Sequence, residues 1–157
     1  MGEKRARKWS IVRGALAGLL GGIAGSGAKM VAEAVFPPRV HGETSPPVAL
    51  MEKAAGHPLT GLERHVAEHA VHWTFGALAG AVYGVAVEIS PQAAAWRGAA
   101  FGLMLNRLTH KRVLPKLGLT APAEFQSTQE KQSEWVTHAA YGVVTEAVRR
   151  GIRAGLE

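Results

Sequence analysis

The chain has no cysteine among its 157 residues, which excludes disulfides, thiolate metal sites, iron–sulfur clusters and cysteine nucleophiles. Aromatic residues make up 6%, and neither a base-stacking motif nor a zinc-finger spacing accompanies the basic residues, so nucleic acid is not expected as a partner. Charged residues reach 19%, below the roughly 25% of ordinary soluble domains. The run Gly21-Gly22-Ile23-Ala24-Gly25-Ser26-Gly27 lacks the Gly-Lys-Ser/Thr ending of a phosphate loop, and no strand precedes it. The apolar stretch 11–28 contains Arg13 and runs on into Lys29 and Glu33 without a small-residue cleavage boundary, so it reads as a retained helix rather than a cleaved leader.

What the chain does have is 19 glycines, 47% apolar residues and a net charge of +6. Placement of that charge decides its meaning. Lys4, Arg5, Arg7, Lys8 and Arg13 cluster at the start and Arg149, Arg150 and Arg153 at the end, with long Gly- and Ala-rich stretches between. Basic ends around apolar stretches point to a lipid bilayer as the partner. The length suits a single domain over 1–157.

Helical periodicity divides the chain into four segments, 9–36, 65–89, 93–114 and 129–156. Pro37 and Pro38 stop the first, Ser90 and Pro91 link the second to the third, and Pro115, Gly118 and Pro122 stop the third. The longest connection has room for a short helix over 48–55. The halves also match each other. Arg13-Gly14-Ala15 with Gly18-Leu19 recurs as Arg97-Gly98-Ala99 with Gly102-Leu103, an offset of 84 (97 − 13). Glu68, His72, Phe75 and Gly76 recur as Glu134, His138, Tyr141 and Gly142, an offset of 66 (134 − 68). The expected architecture is therefore all-α: a four-helix membrane bundle of two tandem helical hairpins, repeat one over 9–89 and repeat two over 93–156, in parallel orientation.

The second segment has 18 uncharged residues over 70–87 and the first has 15 between Arg13 and Lys29, near the length that crosses a hydrocarbon core. The third and fourth have nine and 11 between flanking charges and would need protein cover. Gly14, Gly18 and Gly22, and Gly76, Gly80 and Gly84, are small-xxx-small steps suited to close helix packing. The competing reading is a soluble or peripheral helical bundle, because a mean hydropathy of +0.04 is low for four spans. The basic start places both termini in the cytoplasm, although Arg107, Lys111, Arg112 and Lys116 would then lie outside. Arg13 and Arg97 read as anchors to lipid phosphates, and Trp9, Trp73, Trp96 and Trp135 as interface-belt residues.

Lys29-x-x-x-Glu33 followed by Pro37-Pro38-Arg39, then His72, Phe75, Gly76 and Tyr83 in a Gly-rich helix, resembles the YagU-like family of small bacterial inner-membrane proteins. The resemblance implies an inner-membrane multi-helix protein and supplies no catalytic residue.

The chemistry-bearing residues form stripes. His65, Glu68, His69 and His72 fall at i, i+3, i+4 and i+7, and Glu134, His138, Gly142 and Glu146 repeat the pattern on the fourth segment. Ionisable groups at membrane depth cost about 2.5–3.5 kcal/mol each on insertion scales, so they pair, line water or bind something. Four uses follow: a structural hydrogen-bond network, proton sensing, a metal held among His65, Glu68, His69, His72, Glu134 and His138, or a b-type haem between His72 and His138. His65-x-x-Glu68-His69 also matches the H-x-x-E-H of inverted zinc peptidases, but the chain lacks room for a substrate cleft and the repeat already accounts for Glu68. The expected role is a non-enzymatic membrane component that binds or senses something through this cluster. Its spare glycine faces suit a homo-oligomer or a membrane-complex subunit. The competing class is a metal- or haem-binding membrane subunit.

Overall fold

The structure is a computed structural model that describes residues 2–38, 43–122 and 124–156, with side chains from Arg7 onward. Arg39 and the side chains of Lys4 and Arg5 lie outside the described residues. Among the described residues every regular element is helical: α1 (Gly2–Val35), α2 (Pro46–Ala55), α3 (Gly61–Ile89), α4 (Ala99–Leu108), α5 (Leu114–Lys116) and α6 (Thr128–Gly155). α1 packs along α3 on one side and α6 on the other, α4 lies against α6, and α2 rests on α3.

Local chemistry sets the ends. α1 stops at Val35, ahead of Pro37 and Pro38, because the residue before a proline is pushed out of the helical region. α2 opens with Pro46 and Pro47 in its first turn, where the missing N–H costs nothing, and closes on Gly56 at φ 75°. At the start of α3 the Glu63 carboxylate accepts both the backbone N–H and the hydroxyl of Thr60, each at 2.8 Å. Ser127 caps α6 by accepting the Glu130 N–H at 3.0 Å.

The third segment departs from the expected continuous helix over 93–114. A 3₁₀ stretch runs Pro91–Gly98, with Trp96, Arg97 and Gly98 at φ 53°, 54° and 88°, and α4 begins only at Ala99. Two non-glycine residues in the left-handed region cost about 1–2 kcal/mol each. The turn brings Gly98 against α6, where an added Cβ would lie 2.9 Å from the Gly142 carbonyl carbon. At its other end α4 passes into a π turn over Thr109–Val113, closed by the Leu114 N–H on the Thr109 carbonyl, just before Pro115, which has no N–H to continue an α-helix. Apolar spacing reports neither feature, since both concern backbone handedness and pitch.

α1 meets α3 through backbone. An added Cβ would lie 2.8 Å from the Gly84 Cα if built on Gly18, and 2.9 Å from the Gly80 Cα if built on Gly22. On the adjoining side Gly25 would place a Cβ 2.8 Å from the Tyr141 carbonyl oxygen of α6. Ala17 is fully buried between these contacts.

Arg7–Val35 and Gly61–Ile89 are each long and apolar enough to cross a membrane, yet within the most apolar stretch of each only 33% and 22% of residues are buried. Their apolar side chains point outward, as at Leu16, Leu20, Leu78 and Val82. α6 is inverted outright. It buries Ser133, Glu134, Thr137, His138, Thr145, Glu146 and Arg149, while Trp135, Val136, Val143 and Ala147 on its other side are exposed.

Substituting Gly18 by Val should force α1 and α3 apart and cost about 1–3 kcal/mol, the usual range for overpacking. Gly151→Ala, on α6 with nothing within 4 Å, should be neutral or stabilise by up to about 1 kcal/mol. Thermal unfolding of both variants in detergent checks the contrast; equal melting points would show that the α1–α3 contact is not tight.

Candidate functional site

The buried face of α6 carries two ionic clusters separated by 12 residues, about 18 Å along a helix at 1.5 Å per residue. The first lies at the end of the bundle that holds the chain termini. Glu146 accepts a bidentate pair from Arg149, at 2.7 Å from Nε and 3.0 Å from the terminal nitrogen, and a hydrogen bond from the Tyr83 hydroxyl of α3 at 3.0 Å. Nearby Glu88 accepts from Arg153 Nε at 2.8 Å and from the Ser10 hydroxyl. These contacts tie α1, α3 and α6 together, and each carboxylate has donors enough to offset its desolvation.

The second cluster lies toward the opposite end. Glu134, 3% exposed, has its Oε2 3.3 Å from His110 Nε2, 3.3 Å from His138 Nδ1 and 3.8 Å from the Lys29 ammonium. Lys29 is held more closely by Glu33, one helical turn along α1. The His138 Nδ1 also lies 2.8 Å from the Glu134 carbonyl oxygen and 3.5 Å from the Asn106 amide nitrogen. The rings of His110 and His138 meet edge to face at 5.0 Å. One ligand atom from each of His110, Glu134 and His138 lies within 4.8 Å of the others, close enough for the three to share an ion.

This cluster borders a cavity of about 280 Å³. Val71, His72 and Phe75 of α3 form one wall, Leu105, Thr109 and His110 the other, and Pro46, Pro47 and Leu50 of α2 lie over it. Lys29, His110 and His138 put polar atoms against a mainly apolar lining. Leu50, Phe75, Val113 and Leu117 at its edge are also partly exposed on the outer surface, so the cavity opens sideways as well as toward α2.

Of the residues singled out in sequence, Glu134 and His138 belong to the cluster. His72 and Glu68 line the same cavity from α3, and His72 Nε2 stands 3.3 Å from the Ser26 carbonyl oxygen. Thus His72 and His138, the pair considered for haem, border one space from different helices. His65 is exposed and His69 half-buried, their rings 4.4 Å apart on the outer side of α3's first turns. His110 was not anticipated. It lies near the end of the segment expected as helix over 93–114, and two signals point to it: it follows Gly102 and Asn106, both buried, at steps of four, and it stands in the place of Ser26 at the offset of 84.

Tyr83→Phe should remove one hydrogen bond to Glu146 and lower stability by about 0.5–1.5 kcal/mol. Glu146→Ala should cost about 3–5 kcal/mol, because it strands the buried Arg149 guanidinium. Denaturation of the two variants in the same detergent measures the ratio; a Glu146→Ala loss no larger than that of Tyr83→Phe would mean Arg149 finds water or another partner.

A family model described as "Protein of unknown function (DUF1440)" matches residues 23–147, a stretch that includes His110, Glu134 and His138 of the second cluster and, of the first, Tyr83, Glu88 and Glu146 but not Arg149 or Arg153. No curated protein and no solved structure matches the chain, so no named relative bears on the YagU-like resemblance.

Proposed function

The chain belongs to the DUF1440 family, and from that premise we propose that it is a small, non-enzymatic inner-membrane protein that binds a ligand in the cavity between α3 and α4. The single observation carrying this reading is the inversion of α6. In water a helix that buries Glu134, His138, Glu146 and Arg149 while exposing Trp135, Val136 and Val143 is oriented the wrong way round. In a bilayer that orientation is the favourable one, since lipid takes the apolar side and the bundle interior pairs the charges. It also accounts for the low mean hydropathy, because the charges of α6 are turned inward.

The two ends differ in a way that supports orientation. Arg7, Lys8, Arg13, Arg97 and Arg150 are exposed at the end holding the termini, while its described acids Glu88 and Glu146 are taken up in ion pairs. The opposite end mixes Glu43, Glu63 and Glu68 with Lys53, Lys111 and Arg112. The reading that both termini lie in the cytoplasm, with the cavity toward the far side of the membrane, draws its support from the exposed basic residues at the terminal end. Trp9 and Trp96 mark one interface and Trp135, with Lys111 5.4 Å over its ring, the other.

The cavity has a cause if the chain is two tandem hairpins, with α4 standing for α1 and α6 for α3. At the offset of 84, Ala17, Gly21 and Gly25 of α1 correspond to Phe101, Leu105 and Thr109. The small set lets α1 close on α6. The large set holds α4 off α3, with Phe101 stacked on Tyr83 at 4.4 Å, and the space left beyond it is the cavity. The same offset puts His110 in the place of Ser26: in the first half His72 meets the Ser26 backbone carbonyl, and in the second the His110 ring meets the His138 ring.

Because the sequence has no cysteine, single-cysteine variants report on topology without background. Val143→Cys should resist a membrane-impermeant maleimide in both spheroplasts and inverted vesicles. Lys8→Cys should react only in inverted vesicles and His57→Cys only in spheroplasts. Reaction of Val143→Cys on both sides would remove the membrane reading; the reverse pattern for the other two would invert the orientation.

A further inference from the structure

We propose that His110, Glu134 and His138 form a binding site for one divalent transition-metal cation of the zinc or ferrous class, at the wall of the cavity. The inference rests on the membrane-embedded cluster described above and names its ligand. Two imidazole nitrogens and one carboxylate oxygen are the donor set of open zinc and non-haem iron sites. The geometry fits: with metal–ligand bonds of about 2.0–2.1 Å, tetrahedral neighbours stand roughly 3.4 Å apart, and Glu134 Oε2 lies 3.3 Å from each imidazole nitrogen. All three donor atoms fall within 4.8 Å. A second observation points to the same place. Asn106, 1% exposed, has its amide nitrogen 3.5 Å from His138 Nδ1, and its buried carbonyl oxygen has no hydrogen-bond partner. That oxygen is a spare hard donor beside the site.

The surrounding charges permit a cation. Glu33 and Glu134 face Lys29, with Lys111 and Lys131 bordering the small pocket on the other side of Glu134, and Lys29 keeps Glu33 as its partner when Glu134 turns to a metal. For His138 to ligate through Nδ1, its ring proton moves to Nε2, and the contact with the Glu134 carbonyl gives way to the metal bond. His110 and His138 both border the cavity while Glu134 lies behind them. The fourth position accordingly faces the cavity, where a small ligand can complete the coordination sphere.

The test uses the full chain, purified in detergent and stripped with a chelator, titrated with Zn²⁺ by calorimetry and with Co²⁺ by its visible spectrum. One equivalent should bind, with a Co²⁺ spectrum of low-symmetry four- or five-coordination. His110→Gln and Glu134→Gln should each weaken binding by at least about tenfold, the scale on which disturbed metal sites respond. Lys29→Met should tighten it, because a competing cation is gone. The double variant His65→Ala/His69→Ala should bind like the parent. Circular dichroism and gel filtration identify any variant that fails to fold, and His110→Gln, at a half-buried position, is the mildest of the set. Absence of stoichiometric binding by folded protein, or binding lost with His65 and His69 but kept in His110→Gln, would overturn the site. Cysteine labelling stands apart from these titrations, so failure of the metal site and failure of the membrane reading are told apart.

Discussion

The structure depends on satisfying the buried side of α6. That side presents two carboxylates, an imidazole, a guanidinium and several hydroxyls to the interior, and each would cost several kcal/mol if left without a partner in a medium of low dielectric. The partners come from every neighbouring helix: Tyr83 from α3, Lys29 from α1, His110 from the π turn after α4. Even Tyr141, whose ring is buried, sends its hydroxyl to the Gly76 carbonyl of α3 at 2.7 Å. These bonds are short-reach contacts, so the helix axes must come close, and the glycines of α1 are what allow it.

Glycine placement and polar pairing are thus one design. Along α1, one glycine side faces α3 and another faces α6, making it the helix that both longest neighbours touch. Close backbone approach and internal hydrogen bonds are the contacts that would hold such helices together in lipid, where apolar surfaces gain little from meeting each other. On its α3 side α4 presents Phe101 and Leu105, with Phe101 stacked on Tyr83 at 4.4 Å, and the cavity lies beyond. The chain spends its tight packing on one side of the bundle and leaves a space on the other, bordered by the histidines.

The sequence made much of this legible, for identifiable reasons. Pro37 and Pro38 marked the end of α1, and periodicity located α3 and α6, although α3 begins at Gly61 rather than 65. Glu134 and His138 share a face at i, i+4, and that face is buried. His65 and Glu68 lie on a face continuous with Gly76 and Gly80 yet end up exposed, in a region where α1 too has no fully buried residue from Gly27 to its end at Val35. Periodicity gives the direction of a side chain around its helix and says nothing about how closely a neighbouring helix approaches there. His110 continues the i, i+4 spacing of Gly102 and Asn106, but nothing in that spacing says that α6 brings Glu134 and His138 against it.

The amino-acid sequence by itself determined that the chain is helical, where its helices break, and which residues could share a face, because propensity, capping and proline act through covalent geometry and near neighbours. Tertiary structure decided which faces turn inward, that Trp96 and Arg97 adopt left-handed backbone, and that His110 joins Glu134 and His138. Those outcomes arise from contacts between segments far apart in the chain, where backbone approach at glycine and the pairing of buried charge are settled jointly by several helices.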